Sequence, residues 1–248
     1  MGEMGTSGNR RLTLLHTADV HLDNRPHDTA EPPRMHRAFA AIIDRALDAD
    51  VDVVLIAGDL FDHNRVVDET VAFAQSQLRR LHCPAVILPG NHDCLHPGGI
   101  YRRHDFSAAC DNVRVITGLD GQTIAFPELD LVVWGRGMEA HEPSFHPLAH
   151  LPARHDGRWH VAMAHGYFYE DFETPERSSP ILAAEIRQTG WDYVALGHKH
   201  VMADHSQGEV AAWYAGTPLP DWSAAPPGHV LLIECCPERG ITVRPQRV

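Results

Sequence analysis

The chain has 248 residues, a formal net charge of −12 at pH 7 and a hydrophobic fraction of 44%. That length and hydrophobicity are sufficient for one large globular domain with a well-buried core. Because the net charge is strongly negative, the chain as a whole does not attract a phosphate backbone. Binding of nucleic acid would therefore need a local patch of basic residues. No apolar stretch approaches the roughly 18 residues that a membrane-spanning helix needs.

The N-terminal residues 1–11 contain no apolar core of a secretory signal. We interpret them as a disordered leader that precedes a single domain over residues 12–248. The five cysteines are odd in number and show no C-x-x-C spacing. This pattern is typical of reduced thiols in a cytoplasmic protein and not of a disulfide framework or a structural zinc site.

Hydrophobic patterning alternates between short apolar runs and helical periodicity in the first third of the chain. The runs Leu12–His16, Val51–Ala57 and Ala85–Leu88 predict strands. Between them, apolar residues recur at helical spacing over residues 35–47 and 71–81. This β-α-β-α-β order predicts an α/β fold built on a parallel-rich sheet with right-handed crossovers.

The second half of the chain is richer in predicted strands. The candidates are residues 113–117, 131–134, 160–164, 193–196 and 229–234, with one helix near residues 181–188. Residues 139–157 are rich in Pro and His and predict a loop. We find no internal repeat and no interdomain linker, which favours one domain.

Metal-ligand-type side chains follow most of these predicted strands. The clusters are Asp19-Val20-His21, Gly58-Asp59, Gly90-Asn91-His92-Asp93, His165-Gly166 and Gly197-His198-Lys199-His200. Because ligands of parallel sheets bind at the carboxyl ends of strands, we expect these side chains to meet at one edge. Two Asp, one Asn and four His suffice for two divalent cations that share a carboxylate, with His92 left over. The set predicts metal-assisted hydrolysis of a phosphate ester.

The donor chemistry narrows the choice of metal. Carboxylate and amide oxygens mixed with imidazole nitrogens suit Mn, Fe or Zn. The absence of cysteine from the set disfavours a structural zinc. We expect two divalent ions, with Mn as the first choice and Fe or Zn as alternatives.

In this order, the five clusters resemble the signature of the calcineurin-like metallophosphoesterase superfamily. The flanking sequences are most similar to the SbcD-type DNA repair exonucleases, which are nuclease partners of SMC-like ATPases. The segments that carry this likeness are His16–Asp23, Gly58–Asp62, Leu196–His200 and Tyr214–Pro218. The resemblance covers residues 12–220 and implies an α/β fold of the four-layer α/β/β/α sandwich type.

The resemblance also implies a role for each residue of the set. The first metal would be held by Asp19, His21 and His200, and the second by Asn91, His165 and His198, with Asp59 bridging. A metal-bridged hydroxide would attack phosphorus while the cations clamp the phosphoryl oxygens. His92 would stabilise the transition state or act as a general acid, and Asp93 would orient that region.

Three functions remain open at this level. The flanking sequences favour a nuclease that acts on DNA, as an exonuclease or endonuclease, with an ATPase partner. The net negative charge, and the few residues that follow His200, favour a small-molecule phosphodiesterase or phosphatase acting on a nucleotide-like ester. The third is a catalytically silent scaffold, which the complete ligand set and His92 disfavour.

Further polar residues have simpler interpretations. We expect His16 to pack at the end of its strand, and Arg102 and Arg103 to lie on a solvated helix face. His63 and His96 follow two of the ligand motifs and either face substrate or lie in surface loops. Irregular spacing favours solvated side chains for the remaining group, which is Glu139, His141, His146, His150 and His155.

Overall fold

The computed structural model describes residues 10–23, 33–171, 178–219 and 228–248. The predicted leader therefore lies outside the described residues, except for Arg10 and Arg11. The Arg10 carbonyl accepts a hydrogen bond from the Trp159 indole nitrogen at 2.7 Å. Across the described ranges, no helix combines the length and the apolar character needed to cross a bilayer.

Strands and helices alternate along the described chain. The strands are β1 Leu12–Thr17, β2 Val53–Ala57, β3 Ala85–Leu88, β4 Val113–Val115, β5 Gln122–Phe126, β6 Leu131–Gly135, β7 Trp159–His165, β8 Tyr167–Tyr169, β9 Pro180–Leu182, β10 Tyr193–Gly197, β11 Ala203–Asp204, β12 Ala211–Tyr214, β13 His229–Cys236 and β14 Gly240–Arg247. The helices are α1 Arg34–Asp48, α2 Asp68–Leu78, α3 Ile100–Arg103, α4 Phe106–Ala109 and α5 Ala183–Thr189, with a 3₁₀ turn at Pro127–Leu129.

The strands form two large mixed sheets. The first has the order β14-β13-β1-β2-β3-β4, and its strands β1 to β4 run parallel. The second has the order β11-β12-β10-β7-β6-β5, with β6, β7, β10 and β12 parallel. Strands β8 and β9 form a separate parallel pair. Because the central strands of each sheet are parallel, their carboxyl ends share one edge.

Three hydrophobic clusters separate four layers. One cluster lies between the two sheets and includes Leu55 from the first and Met163 from the second. A second joins the outer face of the first sheet to α1 and α2, through residues such as Phe39 and Leu78. The third joins the second sheet to α5 through Ile186. The α/β/β/α sandwich expected from the sequence is confirmed.

The predicted strands and helices of the first half match the structure closely, whereas several later elements differ. The predicted helix near residues 181–188 begins at Ala183, because Ile181 and Leu182 pair with β8 and the Glu185 carboxylate accepts a hydrogen bond from the Leu182 N–H at 2.9 Å. Strands β5 and β14 escape prediction because they are edge strands with many exposed residues, so neither presents an apolar run.

Replacement of Leu55 tests the contribution of the core between the sheets. This side chain is fully buried, so Leu55→Ala should lower the free energy of unfolding by about 2–5 kcal/mol. The control Leu119→Ala removes a side chain that is 36% exposed and should change it by less than about 0.5 kcal/mol. Urea denaturation of the metal-free proteins measures both, and equal losses would contradict this packing.

Candidate metal centre

Every predicted ligand lies at the carboxyl end of a parallel strand. Both sheets contribute: β1, β2 and β3 from the first, and β7 and β10 from the second. The ligand-type residues near these ends are Asp19, His21, Asp59, Asn91, His165, His198 and His200. The edge predicted from sequence is therefore the place where the two sheets meet.

The strand ends of the two sheets approach so closely that glycine is required. A Cβ atom on Gly197 would lie 1.7 Å from the Ala57 carbonyl oxygen. One on Gly58 would lie 2.0 Å from His165 Nδ1, and one on Gly90 would lie 2.1 Å from an Asp59 carboxylate oxygen. Gly197 and Gly58 therefore allow side chains from opposite sheets to converge, whereas Gly90 leaves room for the Asp59 carboxylate within the first sheet.

Four of the converging residues have a left-handed backbone. The φ angles are +53° at Asp19, +52° at His21, +52° at Asp59 and +103° at His198. Each such conformation costs about 1–2 kcal/mol for a residue with a Cβ atom. Backbone strain of this kind persists where the surrounding structure holds it, and it concentrates at functional sites.

One group of ligand atoms consists of Asp19, His21 and His200. Their potential donor atoms all lie within 4.8 Å of one another. The Nε2 atoms of His21 and His200 are 3.1 Å apart. The Asp19 carboxylate accepts a hydrogen bond from the His198 N–H at 3.0 Å, which fixes it beside the second group.

The second group consists of Asp59, His165 and His198, whose potential donor atoms also lie within 4.8 Å of one another. The Asn91 side-chain oxygen is 2.9 Å from His165 Nε2 and 2.9 Å from His198 Nδ1. His165 donates from Nδ1 to the Ala57 carbonyl at 3.0 Å. In the neutral ring this bond leaves Nε2 as the coordinating nitrogen.

Asp59 reaches both groups. Its Oδ2 atom is 3.4 Å from His165 Nε2 and 3.9 Å from His21 Nε2. Its Oδ1 atom accepts a hydrogen bond from the His92 N–H at 2.9 Å. The carboxylate therefore occupies the position that a bridging ligand requires.

Burial and charge shift the pKa values of the metal-free site. Burial raises the pKa of Asp19 to about 7. Burial alone would also raise the pKa of Asp59, but the charge and hydrogen bond of His165 hold it below its usual range. Burial lowers the pKa of His165, yet the Asp59 charge outweighs it and raises the value to about 9. Burial, followed by the charge of His165, lowers the pKa of His198 to about 3.

This chemistry fits divalent cations. Two buried carboxylates, an amide oxygen and imidazole nitrogens converge, and this donor set is typical of Mn, Fe or Zn sites. Asp19 and Asp59 are both buried, and His165 Nε2 lies 3.4 Å from the Asp59 carboxylate. A cation between the two carboxylates would compensate the charge of both.

His92 lies over the first group and faces solvent. Its side chain is 42% exposed, and its ring centroid is 4.6 Å from that of His21. Its Nδ1 donates to the Asp62 carbonyl at 2.6 Å. The ring is thereby oriented by backbone. His92 also forms, with His21 and Asp62, a third group whose potential donor atoms lie within 4.8 Å of one another.

Asp93 lies beneath the site and does not face substrate. Its buried carboxylate accepts hydrogen bonds from the Gly90 N–H at 2.7 Å, the Phe61 N–H at 3.2 Å and the Tyr101 hydroxyl at 2.8 Å. Burial raises the pKa of Asp93 to about 6. This geometry suits the orienting role predicted for Asp93.

Two residues that support the site were not predicted from the sequence. Asp62 Oδ1 lies 3.4 Å from His21 Nδ1, where a carboxylate would orient a ligating imidazole. Tyr101 holds Asp93 from a separate helix. The position of Asp62, three residues after Asp59, could have indicated that it supports the site. No feature of the local sequence indicates a role for Tyr101.

The predicted solvated loop differs from the structure at two histidines. The His141 ring lies 5.1 Å from that of His198, and its Nδ1 is 2.8 Å from the Ser179 hydroxyl. Nδ1 of His146 lies 3.4 Å from the Glu185 carboxylate. These contacts bring His141 beside His198 and His146 beside α5, which local spacing cannot reveal. The other members of that group, Glu139, His150 and His155, are exposed as predicted.

The remaining polar residues mostly serve the fold. His16 is fully buried between the sheets, with Nδ1 2.9 Å from the Tyr193 hydroxyl, so the packing interpretation is confirmed. His96 is exposed, and His63 accepts a hydrogen bond from a neighbouring N–H in its own loop. Arg103 is not merely solvated, because its guanidinium donates to the carbonyls of Gly98 and Asn64.

The chain matches a known protein family. The model of the calcineurin-like phosphoesterase family matches residues 12–202. The uncharacterized metallophosphoesterase YhaO of Bacillus subtilis is 28% identical over 224 residues, covering 83% of this chain and 52% of YhaO. The DNA double-strand break repair protein Mre11 of Haloferax volcanii is 28% identical over 195 residues, covering 76% of this chain and 41% of Mre11.

The chain thus spans about half the length of these relatives, or less. Among solved structures, TT1561 of Thermus thermophilus superimposes with a TM-score of 0.61 at 11% identity, covering 95% of this chain and 99% of that one. At that identity the likeness concerns the fold alone.

Substitution of Gly58 tests the close approach of the sheets. Gly58→Ala should abolish high-affinity metal binding, because its Cβ would meet His165 at 2.0 Å. The matched control is Gly98→Ala, where φ is also positive (+79°) but no atom of the described residues lies within 4 Å of the new Cβ. Gly98→Ala should lower the free energy of unfolding by about 1 kcal/mol and should retain metal binding. Calorimetric Mn²⁺ titration compares them, and equal Mn²⁺ affinities would contradict the proposed geometry.

Proposed function

The chain belongs to the calcineurin-like phosphoesterase family, and we propose that it is a metal-dependent phosphoester hydrolase. More specifically, we propose a phosphodiesterase with nuclease activity of the SbcD type. The observation that carries this proposal is the meeting of two ligand groups at one buried carboxylate, Asp59. A dinuclear centre of this kind is suited to an in-line displacement at phosphorus.

We propose that each of the two groups of ligand atoms binds one cation. Asp19, His21 and His200 would hold one cation, Asn91, His165 and His198 the other, and Asp59 both. When bound, two such cations lower the pKa of a water molecule and neutralise charge on the phosphoryl oxygens. Mn²⁺ is the metal that we propose, since it accepts mixed oxygen and nitrogen ligands.

His92 is the proposed general acid. Its Nδ1 donates to the Asp62 carbonyl, so Nε2 is the atom that would deliver a proton to the leaving oxygen. Its exposed position allows the leaving group to depart into solvent. Asp93 would position His92 indirectly, because it holds the Gly90 turn from which the His92 loop begins.

A DNA substrate is supported by the relatives. Several similar proteins are named for DNA double-strand break repair, including the Mre11 of Haloferax volcanii. The sequences flanking the ligands also resemble those of SbcD-type exonucleases, which act with an ATPase partner. DNA and such an ATPase are therefore the partners that we propose.

A specific observation favours a second candidate. The net charge of −12 opposes binding of a long polyanion. A small phosphodiester or phosphomonoester related to a nucleotide would meet less repulsion. Because the dinuclear chemistry is the same for both, the substrate has to be determined by experiment.

Domain organisation and location form a further part of the proposal. We propose a single domain over residues 12–248, since β13 pairs with β1 and so ties the end of the chain to its beginning. All five cysteines are free thiols. Free thiols suit a reducing compartment, and we propose the cytoplasm.

His92→Ala tests the general acid. With Mn²⁺ and methyl phenyl phosphate, whose phenolate leaving group is basic enough to benefit from protonation, turnover should fall about 10²–10⁴-fold because proton transfer to the leaving oxygen is lost. The amount of bound metal should not change, since His92 is outside both ligand groups. His96→Ala, at an exposed position four residues further along, is the control and should retain activity. Loss of bound metal in His92→Ala would contradict the assignment.

Circular single-stranded DNA, assayed beside the small diester, tests the substrate. Cleavage of both, lost in His92→Ala, is the expected result for a nuclease. Hydrolysis of the small diester with intact DNA would contradict the nuclease and support the small-ester candidate. Hydrolysis of neither, with metal bound, would contradict the phosphodiesterase.

A further inference from the structure

Aromatic rings line one side of the second ligand group. The Tyr167 ring centroid lies 6.3 Å from that of His198 and 5.4 Å from that of Tyr169. The His141 ring centroid lies 5.1 Å from that of His198. All three flanking residues are half-buried. Tyr167, Tyr169 and His141 are called the aromatic wall below.

The alternation of β8 directs its two tyrosines to a common face. Successive side chains of a strand point to opposite sides. Phe168 packs against the hydrophobic cluster of the second sheet, with its ring centroid 4.0 Å from that of His205. Tyr167 and Tyr169 therefore lie on the side that adjoins the metal centre.

Ser179 fixes both parts of the wall. This residue is fully buried and has a φ of +54°. Its hydroxyl pairs with His141 Nδ1 at 2.8 Å, and its carbonyl accepts a hydrogen bond from the Tyr167 N–H at 3.0 Å. A Cβ atom on Gly166 would lie 2.0 Å from that carbonyl oxygen, so Gly166 is needed for the approach. A strained residue that orders two rings beside the centre indicates a functional constraint.

The charges along the wall indicate what it binds. From Gly166 to Asp171 the charged residues are acidic, Glu170 and Asp171. Glu142 is also close, because its carbonyl accepts the Ser179 N–H at 2.9 Å. Lys199, with Nζ 6.0 Å from the Tyr214 ring, adds one positive charge nearby. The acidic residues still outnumber it and repel additional phosphate groups. An uncharged planar group, such as a nucleobase, stacks on tyrosine and histidine rings without this repulsion.

We infer that the aromatic wall binds the nucleobase of the nucleotide that carries the scissile phosphate. The inference rests on the proposed function and adds a feature of the substrate: an aromatic base beside the phosphodiester on the His198 side. Tyr167 and Tyr169 supply the stacking rings, and Ser179 positions Tyr167 and His141.

Two esters with the same leaving group test the wall. They are thymidine 5′-(p-nitrophenyl phosphate) and the 5′-(p-nitrophenyl phosphate) of abasic 1,2-dideoxyribose, which differ only in the presence of the base. The measured quantity is the ratio of their kcat/KM values. In the double variant Tyr167→Leu/Tyr169→Leu this ratio should fall at least about fivefold, mainly through a higher KM for the thymidine ester, since the base loses its stacking partners.

Two controls separate stacking from general damage. The Tyr167→Phe/Tyr169→Phe variant keeps both rings and should preserve the ratio within about twofold. Phe145→Leu removes an aromatic ring that packs instead with Arg136 and should also preserve it. A ratio that is unchanged in the leucine variant, or equally reduced in the phenylalanine variant, would overturn the inference.

Binding without turnover gives an independent result. In saturation-transfer NMR with Zn²⁺-loaded protein, the thymine protons of thymidine 5′-monophosphate should receive saturation in the wild type and lose it in the leucine variant. Undiminished saturation transfer in the leucine variant would overturn base binding by the aromatic wall. If the wild type hydrolyses neither ester, the proposed function is contradicted, and the NMR result still tests whether the aromatic wall binds the base.

Circular single-stranded DNA identifies the source of the base. If the leucine variant also cleaves this DNA more slowly, the base belongs to a nucleic-acid strand. If the loss is confined to the thymidine ester, it belongs to a small nucleotide ester. Both results support base binding.

Discussion

The burial of two carboxylates at one point is the constraint on which the site depends. Asp19 is 0% exposed and Asp59 is 1% exposed. Burying an uncompensated charge costs several kcal/mol. His165 compensates Asp59, but burial still raises the pKa of Asp19 to about 7. The close approach of the two sheets and the left-handed backbones therefore hold together groups that only a cation would stabilise fully.

The two sides of the centre differ in what they offer a substrate. His92 covers the first ligand group, is exposed, and is oriented by a backbone carbonyl. The aromatic wall lies beside His198 in the second group and is held by a strained, buried Ser179. The metal ligands would then carry chemistry that the family shares, whereas the aromatic wall would determine which substrates bind. The acidic residues near the wall would favour a substrate with few phosphate groups on that side.

The ligands could be predicted because each lies within a few residues of a strand that the hydrophobic pattern reveals. Asp19 and Asp59 follow apolar runs, and the alternation of strands and helices implies that these ends share an edge. Asp62 and His141 could not be assigned in this way, because their contacts with His21 and His198 join segments distant in sequence. Tyr101 lies only eight residues from Asp93, but nothing in the local pattern marks it as a partner of that carboxylate. Edge strand β14 was missed because its exposed residues carry no apolar run.

The most direct measurement is the number of Mn²⁺ ions bound per chain, determined by elemental analysis after removal of free metal. Two ions per wild-type chain are expected, and fewer than two for Asp59→Asn, because Asp59 reaches both ligand groups. The exposed Asp111→Asn control should retain two. One ion or none in the saturated wild type, or two in Asp59→Asn, would contradict a dinuclear centre bridged by this carboxylate.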